Sequence, residues 1–499
     1  MALRLWPRSS LWLDEAQSVA FARLPLADIP GALRTDGAPP LYYMLLHVWM
    51  RIFGRSDVAL RYLSVGISLI TLPIMAAAAR RFGGRQAVWP AVLLLALNPF
   101  GIRYATETRM YALVVLEVTL GLLVVSLALE QPTRLRLVGV ALLTAALLYT
   151  HYWAMYLLAT VGLVLIVMAW RHRSTVQGRR DLQVISALVA GGVLWLPWIP
   201  VFRFQGAHTA TPWTRPPTLG RGLDVLPIQA GGHEPPAVLL ACILGVLIAA
   251  ALFARPVEPW RTDLRFPSYA PARALLGIFV VAPLLAAFGG RISGSAFAGR
   301  YTSVVFPFLI VLAAVGASHI GRRDARIVVL ALACVVSIPL AIGEARTPRT
   351  PAASFASYVK AEARPGDVII YCPDQLGPAL SRLLENTPAS GLQQGTFPLW
   401  ASPARVNWID YSSRYRTASA FEFAADAVQR AGHGAIWVVW SSRYPPTEPS
   451  CLTLRAALSF LRPTEEQLVK DRPDDYLDHG ALLRYPASRA DALGDTSTT

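Results

Sequence analysis

Apolar runs of membrane length recur along this chain from Val58 to Ile342. A helix rises about 1.5 Å per residue, so roughly 20 apolar residues match a hydrocarbon core about 30 Å thick. In lipid a segment must satisfy its own backbone N–H and C=O groups, which a helix does. Ten spans are expected, at 58–79, 86–101, 109–129, 135–150, 152–170, 182–201, 236–254, 274–289, 301–320 and 327–343. The fold class expected is a polytopic α-helical membrane protein followed by a small α/β soluble domain.

The connections set the orientation. "RRFGGR" (80–85), "QPTRLR" (131–136), "RHRSTVQGRR" (171–180), the 255–273 loop and "GRRDAR" (321–326) are Arg-rich and fall on one side. Basic loops mark the cytoplasmic side. Asp14, the 202–235 loop and everything after Glu344 are then expected to face outward.

The net charge of +15 raises the question of a nucleic-acid partner. Of the 46 basic residues only Lys360 and Lys470 are lysines, and the arginines are scattered among loops rather than gathered on one face. A nucleic-acid binder concentrates them, so none is expected as a partner. Cys242 and Cys334 lie in apolar runs. Cys372 and Cys451 lie in the outward, oxidising part of the chain, where a disulfide between them is expected beside the alternative of two buried thiols. No pair has zinc-site spacing. "MALRLWPRSS" leads into polar sequence, not into the apolar core of a cleavable signal.

Residues 37–54, "GAPPLYYMLLHVWMRIFG", are apolar but carry Tyr42, Tyr43, His47, Trp49 and Arg51, the pattern of a helix lying in the interface. Beyond Pro351, "DVIIYC" and "GAIWVVWSS" read as strands, and "SFASYVKAEA", "LGPALSRLL" and "LTLRAALSFL" as helices. The domains expected are 1–57 (an outward loop with the interfacial helix), 58–343 (membrane helices), 344–488 (an extracytoplasmic α/β domain) and 489–499 (a disordered polar tail).

Several polar groups stand out against this background. Asp14 and Glu15 in "WLDEAQS" offer a general base near the outer surface, or simply favourable charge at a helix N-terminus. Asp36 precedes Pro39-Pro40, as a functional acid or as an ordinary turn Asp. "RYATETRMYA" crowds Arg103, Tyr104, Glu107, Arg109 and Tyr111 into an outer connection that should be poor in Arg. Arginine forks grip phosphate bidentately, whereas a surface Arg–Glu–Arg network contributes little. Arg300 and Tyr301 stand at the outer mouth of another span, against the same anion or simply snorkelling to headgroups. His151 sits in "YTHYWAMY", which also reads as an aromatic belt. Glu117 lies inside a span, where an acid is expensive and faces the bundle interior.

The ordered set "WLDEAQS", "DGAPPLYYMLLHVWMRIFGRSDVALRYLS", "RYATETRMYAL", "THYWAMYLL" and "GRYTSVVFPFLIVLAA" resembles the bacterial relatives of protein O-mannosyltransferases and aminoarabinose transferases, membrane glycosyltransferases of the GT-C fold. The resemblance covers residues 11–320. It implies inverting transfer of a sugar, mannose among the candidates, from a polyprenyl-phosphate donor to a protein, lipid or glycan acceptor. The work would be done in the outer face of the cell membrane, with membrane lipid as a further partner. It implies Asp14 as catalytic base with Glu15 beside it, Arg103, Arg109 and Arg300 for the lipid phosphate, and Asp36, Tyr42, Glu107, Tyr111, His151 and Tyr301 lining the site. Phosphate is a good leaving group that needs cations more than an acid, so no cofactor is expected; a divalent metal is left open. Two departures accompany the resemblance. Only thirteen residues precede Asp14, so the first family span is expected upstream of Met1 or is lacking, and Ala38 stands where many relatives have His. The competing readings are a translocator of the same lipid and an inactive scaffold of this fold.

Overall fold

The computed structural model describes residues 2–5, 9–209, 217–258, 261–264, 269–444, 446–472 and 476–487; the tail expected to be disordered lies outside them. In chain order the helices begin with α1 (Leu13–Ala22), α2 (Ile29–Ala32), α3 (Leu41–Phe53), α4 (Asp57–Gly83), α5 (Val88–Leu97), α6 (Pro99–Ala105) and α7 (Tyr111–Glu130). Then come α8 (Arg134–Thr150), α9 (Ala154–Arg171), α10 (Val176–Leu194), α11 (Ile199–His208), α12 (Val225–Gln229) and α13 (Pro235–Phe253). A short antiparallel hairpin follows, β1 (Ala254–Glu258) with β2 (Arg261–Leu264). The helices α14 (Ala270–Ser293), α15 (Phe306–His319) and α16 (Arg323–Arg346) complete the apolar two-thirds.

The chain divides into two compact units: Met1–Pro7 with Ala38–Phe202 and Pro216–Arg346, and Arg8–Gly37 with Arg203–Arg215 and Thr347–Thr499. This differs from the division expected in sequence. Residues 8–37 pack with the C-terminal part of the chain, and the helix after Pro40 packs with the membrane helices.

In the first unit all ten expected spans coincide with helices, but seven are long and apolar enough to cross a membrane, or eight when the bent pair Arg85–Leu97 and Pro99–Ala105 counts as one. The chain is a multi-pass membrane protein. The difference has physical causes. Helix α8 has only 17 residues and starts with Arg134 and Arg136. Helix α15 is short because Gly299–Val304 forms a 3-10 turn ahead of Pro307, leaving 14 residues. Its residues from Phe306 to Ser318 are all buried, as befits a helix apolar on every side. Helices α4, α5, α13 and α14 surround it. A Cβ on Gly316 would fall 1.8 Å from the carbonyl oxygen of Leu247 on α13, so only glycine permits this backbone approach.

The expected span 86–101 is bent by 60°. Asn98 makes the break. Its side-chain oxygen accepts the N–H of Gly101 at 3.1 Å, starting α6 with Pro99 in the first turn, while its amide donates to the Gln229 carbonyl at 3.0 Å. The partner of Glu117, not readable in sequence, is Thr150, whose hydroxyl donates to it at 2.9 Å. Helix α3 buries Tyr42, Tyr43, Leu46, His47 and Met50 and exposes Val48, Ile52 and Phe53 beside Arg51.

The second unit is built on a five-stranded sheet in the order β4-β3-β5-β7-β6, with β3 (Val368–Cys372), β4 (Gln393–Thr396), β5 (Ile436–Trp440), β6 (Glu466–Val469) and β7 (Ala481–Tyr485). Strand β3 runs parallel to β4 and β5, and β7 antiparallel to β5 and β6. Strands β3 and β5 are buried throughout, because helices cover both faces. Helices α17 (Ala352–Glu362) and α18 (Gly377–Leu384) pack on one side; α20 (Ala420–Ala431) and α21 (Glu448–Leu461), preceded by α19 (Tyr411–Thr417), pack on the other. The expected Cys372–Cys451 disulfide is present and joins the end of β3 to α21. Strands β4, β6 and β7 escaped the sequence reading: "QQGT" and "EQLV" are partly exposed edge strands at least half polar, and "ALLRY", though buried, is a short run broken by Arg484.

Candidate functional site

In the membrane unit, the break at Asn98 turns α6 so that Arg103 lies in its last turn, and the chain reverses through 106–110 into α7. Arg103 is held by two carboxylates, Glu107 at 3.7 Å and Glu344 at the end of α16, also at 3.7 Å. Glu107 is itself buried, and its backbone carbonyl accepts the hydroxyl of Ser64 at 2.6 Å, tying the reversal to α4. Arg109 donates to the Tyr43 hydroxyl of α3 at 3.3 Å, and Tyr43 packs edge-on against Tyr42.

An aromatic chain links these groups. Tyr104 packs against Tyr111 (centroids 5.0 Å apart), Tyr111 against His151 (5.9 Å), and His151 against Tyr301 (5.1 Å). The backbone N–H of Trp153 donates to His151 Nδ1 at 3.1 Å, which fixes the ring at the end of α8. The Arg300 guanidinium carbon lies 5.7 Å from the Tyr301 ring centre. Arg109 and Arg300 both lie within electrostatic reach of His151, and Arg103 and Arg300 within reach of Tyr104. The structure therefore brings together seven of the sequence candidates: Arg103, Glu107, Arg109, Tyr111, His151, Arg300 and Tyr301. Tyr42 stands one residue from Tyr43. Three guanidiniums, one of them paired with Glu107 and Glu344, gather at this aromatic cluster, and guanidinium forks are suited to oxyanions.

Asp14, Glu15 and Asp36 belong to the second unit. Helix α1 starts at Leu13 without a side-chain cap of its own. Asp478 supplies one, its carboxylate accepting the Leu13 N–H at 3.0 Å. Glu15 is fully buried and pairs with buried Arg349 at 3.3 Å. Asp14, one position earlier and about 100° around the helix, is only partly buried. Gln17, one turn further on and so on Asp14's side, donates to Asp36 at 2.6 Å and accepts the N–H of Val406 at 3.0 Å. The unit thus orients Asp14 and Asp36 through α1 and engages Glu15 in an internal ion pair. Burial pushes the Asp478 carboxyl up to about 7.

Sequence reasoning missed Tyr43, Glu344, Arg349 and Asp478 as partners. Tyr43 adjoins a candidate and was legible as such. The other three meet their partners across hundreds of residues and carry no local signal. Among the described residues no group of three or more His, Cys, Asp or Glu side chains is arranged to hold a metal ion.

Residues 37–198 match the family model described as dolichyl-phosphate-mannose-protein mannosyltransferase. No individually curated protein matches the chain by sequence. Among solved structures the chain is similar to ArnT from Cupriavidus metallidurans in the apo state, with a TM-score of 0.61 and 16% identity over 97% of this chain and 95% of that one. It is similar to the same protein bound to undecaprenyl phosphate, with a TM-score of 0.57 and 16% identity over 97% and 96%. The apo oligosaccharyltransferase of Archaeoglobus fulgidus gives a TM-score of 0.50 at 10% identity over 88% and 66%. The chain has the fold of the GT-C membrane glycosyltransferases, and the family-model match is confined to residues 37–198, about a third of its length.

Proposed function

We propose that this protein is an inverting glycosyltransferase that moves a sugar from a polyprenyl-phosphate donor to an acceptor on the outer face of the cell membrane. The observation that carries this reading is the meeting of Arg103, Arg109 and Arg300 around one aromatic cluster in a membrane unit. Glu107 and Glu344 already engage Arg103, which leaves Arg109 and Arg300 as the charge a further anion would meet, and a lipid phosphate is the anion a bilayer delivers. The ArnT relative bound to undecaprenyl phosphate supports the same donor class.

The chemistry follows from the groups present. The acceptor hydroxyl attacks the anomeric carbon as the carbon–oxygen bond to phosphate breaks. Asp14 takes the acceptor's proton as its oxygen bonds to the sugar. The bond electrons leave with the phosphate, whose growing charge the arginines stabilise. The transition state has oxocarbenium character, and one displacement inverts the centre. Glu15 acts by fixing α1 through Arg349, and Asp36 and Gln17 flank the base.

Incubating the purified protein with a radiolabelled polyprenyl-phosphate sugar tests the proposal. Release of free lipid phosphate, abolished by Asp14→Asn with the fold retained, supports transfer. Movement of intact donor between leaflets without release identifies a translocator instead. Undiminished release by Asp14→Asn removes Asp14 from the mechanism.

A further inference from the structure

Helices α7, α8, α9, α10 and α14 of the membrane unit line a half-open cavity of about 850 Å³. This is near the top of the roughly 300–1,000 Å³ typical of ligand sites. Its walls are mostly aliphatic, with Leu147 and Leu157 toward one end; the hydroxyls of Ser126 and Thr144 also line it, and its basic groups, Arg171, His172 and Arg273, gather at the other end. From Leu157 to His172 the wall is helical, which corresponds to about 22 Å. Half a bilayer with its headgroup layer measures roughly 20–22 Å. The cavity is therefore as deep as one leaflet, with its charge where headgroups lie.

The charges carry a sign and a side. His172 Nδ1 lies 2.9 Å from buried Asp181, so that imidazole is already engaged within the protein. Arg171 and Arg273 are exposed, and neither makes an ion pair among the described residues. Both stand at helix ends beside the Arg-rich connections expected on the cytoplasmic side. A sugar donor entering from the outer leaflet would carry its phosphate at the opposite end, so these two guanidiniums are misplaced for it. The mostly aliphatic walls offer water few partners, and left unfilled they would forfeit packing contacts.

We propose that this cavity is a binding site for one anionic phospholipid of the cytoplasmic leaflet, its acyl chains between α7, α9 and α14 and its phosphate on Arg171 and Arg273. Basic pockets between membrane helices on the cytoplasmic side take such headgroups. The site is independent of the glycosyl-transfer reading.

Native mass spectrometry of the full chain, released from nanodiscs of equal phosphatidylglycerol and phosphatidylcholine, is the test. The wild type should retain one phosphatidylglycerol per chain. Arg171→Gln with Arg273→Gln should lower that retention about thirtyfold, the effect of two basic groups at a membrane surface. Both side chains are exposed, so the double variant keeps the fold. Gly121 lines the cavity, and no atom stands within 4 Å of where its Cβ would lie. Gly121→Phe should therefore fill the space and exclude lipid of either headgroup. Equal retention of both lipids by the wild type, unchanged retention by the double variant, or a polyprenyl phosphate as the retained species overturns the proposal.

Discussion

The carboxylate of Asp478 accepts the backbone N–H of Leu13 at 3.0 Å, joining residues 465 positions apart. It caps the helix that carries Asp14 and Glu15, so the orientation of the proposed base is set by the far end of the chain. Burial raises the Asp478 carboxyl to about 7, with the Leu13 N–H opposing and the Asp14 charge adding to the rise. Burial likewise raises Asp374 to about 6, against the hydrogen bonds it accepts from Tyr411 and Tyr415. An acid whose pKa is higher folded than unfolded holds more protons in the folded state. The stability these two groups confer is therefore full below about pH 4 and falls as pH rises, through about 6 for Asp374 and about 7 for Asp478. Asp478→Asn keeps an oxygen for Leu13 and should flatten the slope, gaining on the order of 4 kcal/mol at pH 8. Asp478→Ala should lose the cap, at a cost of about 1 kcal/mol. Denaturation of both variants across a pH series checks the two effects separately.

The Glu15–Arg349 pair is buried on both sides. Removing one partner strands a charge in the interior, so Glu15→Ala or Arg349→Ala should each cost about 3–5 kcal/mol. Replacing both by apolar residues of similar volume, Glu15→Leu with Arg349→Met, should recover most of the loss. Unfolding midpoints of the three variants decide it. Equal losses in singles and double would mean that the pair is not the source of the cost.

Arg300→Ala and Arg109→Ala should each lower kcat/KM for a polyprenyl-phosphate sugar about thirtyfold, the effect of losing about 2 kcal/mol of charge-assisted hydrogen bonding. Lysine at either place should restore only part, because an ammonium lacks the planar fork. Initial rates against donor concentration give the measurement, with full activity in Arg300→Ala as the result that removes that residue from the site.

The disulfide between Cys372 and Cys451 closes a loop across 79 positions. Its replacement by paired serines should destabilise the second unit by about 2–4 kcal/mol. A melting curve of the full chain, with and without reductant, reads this directly.

Gly316→Val should leave little folded protein, because the new Cβ meets the Leu247 carbonyl oxygen at 1.8 Å. Gly121→Ala, on another membrane helix with open space at its Cβ, is the matched control and should be recovered in normal yield. Detergent-resistant monomer on gel filtration measures both.

Most of the membrane helices were legible because their apolar length is set by the bilayer itself. The shortness of α15 was not, since its burial comes from neighbours, and neither was the bend at Asn98, where a cap and Pro99 interrupt an otherwise continuous apolar run. In the second unit β3 and β5 announced themselves as unbroken apolar runs, while β4 and β6 were hidden by their exposure at sheet edges. Arg103, Glu107 and Arg109 could be picked out because they crowd a connection that the loop charges lead one to expect on the outer side, where arginine is rare. Glu344, Arg349 and Asp478 could not, because each acquires its role only through a partner distant in sequence. Glu15 was read beside Asp14 as one acidic pair, and helical geometry separates them, one turned inward to Arg349 and the other left partly open.

The capping of α1 by Asp478 also has a temporal side. Ribosomes extend a chain by about 5–20 residues per second, so the amino-terminal helix waits on the order of a minute after its own synthesis for its capping partner to be made. During that interval Glu15 also lacks Arg349, and the acid next to it has no fixed bearing. A nascent or prematurely terminated polypeptide is therefore without its organised base until synthesis is nearly complete, a delay imposed by connectivity alone.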